Sequence, residues 1–207
     1  MEHIRSASRV WLAAMLAGLL LAGCASGTAV QIVGAVVSTA MESAGLKQKT
    51  GPDGKGPAYE VPLLLAAGEQ LNATSDGQAL SLVVRIYQLR DPQSFKSLTY
   101  EQAAAPDGGK SVLGEDMITF KEVLVVPGET YQLKQKLPGD GTTLGVVGLF
   151  RAPAGNRWKI AFAAKESKDS GITVGAHACA LSAGKGALDP IVSTDLARTL
   201  SGVQCNG

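Results

Sequence analysis

The spacing of apolar residues changes several times along the chain. Val10 to Ala22 is an almost continuous apolar run of 13 residues. Over Ala29 to Leu46, Val30, Val33, Val37, Met41 and Ala44 recur at three- and four-residue intervals, which predicts a helix with one apolar face. Lys47 to Ala58 is rich in Gly, Pro and Lys and reads as linker. From Tyr59 onward the period falls to two. Glu60 to Asn72 holds a first strand and Leu80 to Arg90 a second. The second places Leu80, Leu82, Val84 and Ile86 on one face and Ser81, Val83, Arg85 and Tyr87 on the other. Asp91-Pro92 pairs an N-cap with a first helical residue and predicts a short helix that buries Phe95 and Leu98.

Strands resume at Met117 to Val126, where Ile118, Phe120, Leu124 and Val126 share a face. The turn signal Pro127-Gly128 predicts a hairpin to Thr130–Leu137, with Tyr131 and Leu133 inward. Thr142 to Arg151, Arg157 to Ala164 (Trp158, Ile160 and Phe162 on one face) and Ile172 to Leu181 bring the set to about seven strands. A short helix is expected at Thr194 to Leu200. Many short strands joined by turns predict a mainly β fold, an antiparallel sandwich with a few helices, not a parallel α/β sheet.

The leader sets the compartment. Arg5 and Arg9 precede the 13-residue run, which is short against the roughly 20 residues that a spanning helix needs. It ends in Leu21-Ala22-Gly23-Cys24, which resembles the lipobox of bacterial lipoproteins. Small residues there admit the peptide to signal peptidase, and the Cys24 thiol becomes the site of lipid attachment. Ala25 follows the anchor instead of Asp, and this resembles an outer-membrane address. The expected divisions are a lipoprotein signal peptide over 1–23, a lipidated N-terminus with helix and linker over 24–58, and a β-sandwich domain over 59–207.

Charge and cysteine content narrow the role. Lys plus Arg number 19 against 18 Asp plus Glu, and removing residues 1–23 takes Arg5, Arg9 and Glu2 away to leave 17 of each. So flat a balance argues against nucleic acid as a partner, which requires a basic face. Apolar residues make up 45% of the chain, enough for a core, which excludes wholesale disorder. With Cys24 acylated, Cys179 and Cys205 remain, either as a disulfide or as two free thiols. No Cys-x-x-Cys occurs, so neither a metal nor a redox cofactor is indicated.

The sequence holds little that looks catalytic. His177 is the one histidine after the leader and has no nucleophile beside it in sequence. Ser182-Ala183-Gly184-Lys185 and Lys49-Thr50-Gly51 match two elements of penicillin-binding enzymes, but in reverse chain order and without Ser-Asp-Asn. Capping and solvation account for Asp91, Glu101, Glu115, Asp116 and Glu129. We therefore expect no enzyme, no catalytic residues, no cofactor and no small-molecule substrate.

The segment from Leu80 to Asp91 (LSLVVRIYQLRD), followed by Phe95, resembles the signature of the type VI secretion outer-membrane lipoprotein family, TssJ (SciN-like). Leu113-Gly114-Glu115-Asp116, Pro127-Gly128-Glu129 and Gly145-Val146-Val147 with Phe150-Arg151 and Trp158 are similar to further elements, in the family's order. The resemblance implies a transthyretin-like β-sandwich, anchored by lipid to the periplasmic face of the outer membrane. It further implies that the protein holds the secretion membrane complex by binding the periplasmic C-terminal domain of TssM. In the family the loop between the first two strands is implicated; here that loop is Asn72, Ala73, Thr74, Ser75, Asp76, Gly77 and Gln78. Asn72 and Asp76 can bond backbone groups there, and Gly77 can allow a tight bend. The alternative is a periplasmic lipoprotein that binds a cell-wall or carbohydrate ligand. That would call for exposed aromatic platforms, whereas Trp158, the one Trp after processing, sits in a core-like alternation.

Overall fold

Strict alternation along Tyr59–Ala67 (β1) builds the first layer: Val61, Leu63 and Leu65 are buried, while Glu60 and Pro62 face solvent. The computed structural model describes residues 56–205. The leader, Cys24, the helix expected at 29–46 and all but the end of the linker lie outside the described residues. The remaining strands are β2 (Leu82–Leu89), β3 (Met117–Val125), β4 (Thr130–Leu137), β5 (Thr143–Gly148), β6 (Lys159–Ala163), β7 (Ile172–Ala176) and β8 (Leu181–Ala183). Short helices α1 (Gln93–Ser97), α2 (Tyr100–Ala104) and α3 (Lys110–Leu113) follow β2, and α4 (Ala164–Ser167) follows β6.

The strands form two four-stranded sheets, β4-β1-β7-β8 and β3-β2-β5-β6. One core lies between them, where Val61, Leu63, Leu65, Ile172 and Val174 meet Leu82, Val84, Ile86, Val146, Ile160 and Phe162. This is the expected mainly β sandwich, with three differences. First, β1 and β7 pair in parallel, Leu63 opposite Ile172, while every other pairing is antiparallel. Second, the final expected strand breaks at His177–Ala180, so β7 and β8 are separate and the described residues hold eight strands. Third, Pro127-Gly128 does not close a hairpin. β3 pairs with β2 and β4 with β1, so the turn is a corner between sheets. Hydrogen bonds from Gly128 N–H to Gly68 O (3.4 Å) and from Ala67 N–H to Glu129 O (2.9 Å) tie that corner to β1.

The first expected strand ends early, at Ala67, and the chain then turns until β2 begins at Leu82. On β3 the expected inward face is also revised. Val125 is fully buried and Val123 packs on the core, whereas Leu124 is 61% and Val126 42% exposed. Phe120, on the same side as Leu124, is instead covered from outside, because the short helices roof only part of the second sheet.

That roof explains why β2 is buried on both faces. Tyr87 packs its ring on Phe95 of α1 at 5.4 Å and on Phe120 at 5.5 Å. Gly145, opposite Tyr87, leaves room for this, since a Cβ there would lie 2.7 Å from the Phe95 ring. Two cations pin the roof by its helix C-termini, where backbone carbonyls lack helical partners. Lys159 Nζ donates to Phe95 O, Lys96 O and Leu98 O at 2.7–2.8 Å, and burial lowers its pKa to about 8. Arg85, 5% exposed, donates to Ala103 O and Ala105 O and pairs with Glu122 at 2.7 Å. Replacing Arg85 with Met should cost about 2–3 kcal/mol in urea unfolding, because two carbonyls lose their donor while half-exposed Glu122 can rehydrate. A loss below about 0.5 kcal/mol would mean that the roof does not depend on this contact.

Beyond β8 the chain lies along the edge of β6. Ala163 N–H donates to Ala187 O and Asp189 N–H to Ala161 O, both at 2.9 Å, and Leu188 bridges Phe162. The helix expected at Thr194–Leu200 is a 3-10 turn at Asp195–Arg198. Among the described residues no helix is long and apolar enough to cross a membrane.

Candidate functional site: the β1–β2 loop

Chain direction sorts the connections into two ends. The links β1–β2, β3–β4, β5–β6 and β7–β8 lie at one end of the sandwich, and the chain enters β1 at Tyr59 at the other. A nine-residue strand separates those ends by about 30 Å. The β1–β2 loop therefore stands at the opposite end of the sandwich from Tyr59, where β1 begins.

Its foot is rigid. Leu71 is fully buried, and Asn72, 7% exposed, takes a left-handed φ of 47° that Asn tolerates better than most residues. The Asn72 side chain donates to Ser81 O at 2.9 Å and accepts from Arg151 N–H at 2.8 Å. Asn72 N–H donates to His177 O and Ala73 N–H to Ala178 O, each at 3.1 Å. The foot is thus fixed to two other connections of the same end, β5–β6 through Arg151 and β7–β8 through His177 and Ala178, and the Asn72 side chain serves the fold, facing inward.

Its tip is exposed and bonded mainly to itself. Thr74 N–H donates to Gln78 O at 2.9 Å, Gly77 N–H to Thr74 O at 3.0 Å, and Gln78 N–H to the Thr74 hydroxyl at 3.0 Å. Gly77 has a φ of 84°, which supplies the bend. The Thr74 hydroxyl also donates to the Asp76 carboxylate. This bond, the Asp76 backbone and, more distantly, Arg151 hold that carboxyl below the usual range against a small opposing effect of burial. Ser75, Asp76, Gly77 and Gln78 face solvent, while Ala73 and Thr74 are half-buried. The tip presents a carboxylate and amide groups from a preset backbone, and so can hydrogen-bond a protein surface with little loss of chain entropy.

Cys179 and Cys205 are joined by a disulfide, with Cα atoms 5.6 Å apart. The foot contacts at His177, Ala178 and Arg151 carry no local sequence signal, since all join segments about 80 residues or more apart.

Other polar groups give no comparable site. His177 Nε2 lies 2.8 Å from the Ser182 hydroxyl, and burial, then Arg157, lowers the imidazole pKa, so the pair satisfies itself on the sheet face. The Lys49-Thr50-Gly51 motif lies outside the described residues. Among the described residues no group of three or more His, Cys, Asp or Glu side chains is placed to hold a metal. Trp158 is 8% exposed and stacks edge-on against Tyr100. A groove of about 370 Å³ on the open face of the first sheet is lined by Pro62, Leu64, Gln132, Lys134, Thr173 and Lys185 among others, with no aromatic platform.

Chains of solved structures are similar to this sandwich over nearly their whole length. A chain of a solved structure described as the type VI secretion protein TssM C-terminal domain from EAEC is 28% identical, with a TM-score of 0.51, covering 60% of this chain and 96% of its own. A chain of the type VI membrane complex is 30% identical, with a TM-score of 0.55, over 60% and 97%. The type VI lipoprotein TssJ1 from Pseudomonas aeruginosa is 24% identical, with a TM-score of 0.54 over 65% and 98%, and supports the fold. No curated relative matches the chain. Residues 60–179 match the family T6SS-SciN, described as type VI secretion lipoprotein, VasD, EvfM and TssJ, and from β1 to the β7–β8 turn the chain belongs to that family.

Proposed function

We propose that the mature protein is a non-enzymatic adaptor, acylated at Cys24 and held on the periplasmic face of the outer membrane. It steadies the type VI secretion membrane complex by binding the periplasmic C-terminal domain of TssM through Ala73–Gln78. The loop carries this reading: an exposed, preset tip stands on a foot fixed to two neighbouring connections. Membership of a secretion lipoprotein family supports it, as does likeness to chains of structures described by TssM and by the membrane complex. Asn72 belongs to the loop as its internal support. The chain has only to bind, through polar contacts and shape, and no bond need be made or broken. A carbohydrate-binding role has less support, because the open groove lacks an aromatic stacking surface.

Purifying the acylated protein from envelopes in mild detergent tests the reading. A large inner-membrane protein, identified as TssM by mass spectrometry, should come with it in stable proportion. Recovery of the lipoprotein alone at low salt would remove the adaptor role.

A further inference from the structure

The β1–β2 loop rests on the β7–β8 turn, and that turn is fastened to the C-terminal tail. Asn72 N–H and Ala73 N–H reach His177 O and Ala178 O at 3.1 Å, and the next residue, Cys179, is bonded to Cys205. Cys179 is 2% exposed, and its carbonyl accepts from Ala154 N–H at 2.9 Å. Ala154, Cys179 and Ala180, with Val203 packed on them, form a small apolar cluster separate from the main core. Arg198 donates to Gly184 O and Gly186 O at 3.2 and 3.0 Å, and beyond it few other contacts hold the tail's last residues. Arg157 donates to Thr199 O and Val203 N–H to Leu200 O, while Leu196 and Leu200 stay 66% and 44% exposed. The covalent bond therefore ties Val203 and the end of the tail to the cluster, while backbone bonds from Ala154 N–H to Cys179 O, His177 N–H to Ala180 O and Leu181 N–H to Arg157 O hold the turn itself. The matched family span ends at Cys179, and Cys205 lies 26 residues beyond it.

We propose that the Cys179–Cys205 disulfide and the tail it fastens position the foot of the β1–β2 loop, so that the oxidised chain binds its partner more tightly than the reduced chain. The positioning stands on the structure alone; the affinity difference rests on the docking role of the loop. A restrained loop pays less ordering entropy on binding. By linkage, the bound partner must make the bond harder to reduce by the same factor.

Hydrogen exchange on the purified acylated protein tests both parts. Two forms are compared with the native one. In the first, Cys179 and Cys205 are both replaced by Ala. In the second, a dithiol reagent delivers two electrons and two protons, the sulfur–sulfur bond breaks to two thiols, and the reagent closes to its own disulfide. Peptides covering 69–75 and 152–156 should exchange roughly ten-fold faster in both forms, with β5 unchanged. Affinity for the TssM C-terminal domain should fall roughly ten-fold. Unchanged exchange in 69–75 overturns the positioning. Acceleration spread equally over β5 also overturns it, because the bond would then support the whole fold. Faster loop exchange with unchanged affinity overturns the redox dependence of docking; deleting the loop tip decides separately whether the loop docks at all.

Discussion

Replacing Cys24 with Ser should move the protein almost entirely from the membrane fraction to the soluble periplasm and abolish secretion. The acyl chains proposed at Cys24 are its expected hold on the bilayer. Each buried CH₂ contributes about 0.8 kcal/mol, so two or three chains hold firmly where one would be marginal. Position 24 precedes the described sandwich, so the thermal midpoint of the released protein should match that of the native one. Fractionation and a secretion assay, with the midpoint as control, read the result. A Cys24→Ser protein that stays in the membrane pellet, or still supports secretion, would show that the lipid is not its anchor.

Deleting Thr74 to Gly77 should weaken binding of the TssM C-terminal domain by about 30-fold or more, the scale of a lost interface hot spot. The thermal midpoint should shift by no more than about 2 °C. The two effects separate because the tip's bonds run mostly among Thr74, Asp76, Gly77 and Gln78, whereas the foot is fixed through Asn72 and Ala73. The Thr74 N–H to Gln78 O bond also brings the ends of the excised segment together, so a short closure is possible. Calorimetric titration beside a melting curve tells the cases apart. Full affinity in the deletion protein would remove this loop from the site, and a collapse of the midpoint would make the tip structural.

Local pattern and tertiary placement divide plainly in this molecule. Alternation on β1 and β4 reads correctly because each strand has one face on the core and one in water: Val61, Leu63 and Leu65 against Glu60 and Pro62, and Leu137 buried against exposed Lys134 and Lys136. On β2 the same alternation gives the faces but not their burial. Arg85 and Tyr87 look solvent-facing until α1–α3, which follow in sequence, fold back over them. Leu124 and Val126 err in the opposite direction, apolar residues left uncovered because the roof stops short of them.

Turn signals behave in the same way. Pro127-Gly128 marks a turn whose chemistry is local, yet whether it joins neighbours in one sheet or crosses to the other depends on which strands β3 and β4 pair with. By itself the sequence determined the two-residue periodicity, the turn positions and the likeness to a secretion lipoprotein family, including the resemblance of Leu21-Ala22-Gly23-Cys24 to a lipobox, because each is written in residues close together along the chain. Only the tertiary structure decided the parallel β1–β7 pairing, the Cys179–Cys205 bond and the support of the loop by His177, Ala178 and Arg151. Those contacts join distant segments, and many arrangements of such contacts satisfy the same local pattern until one packed core fixes the choice.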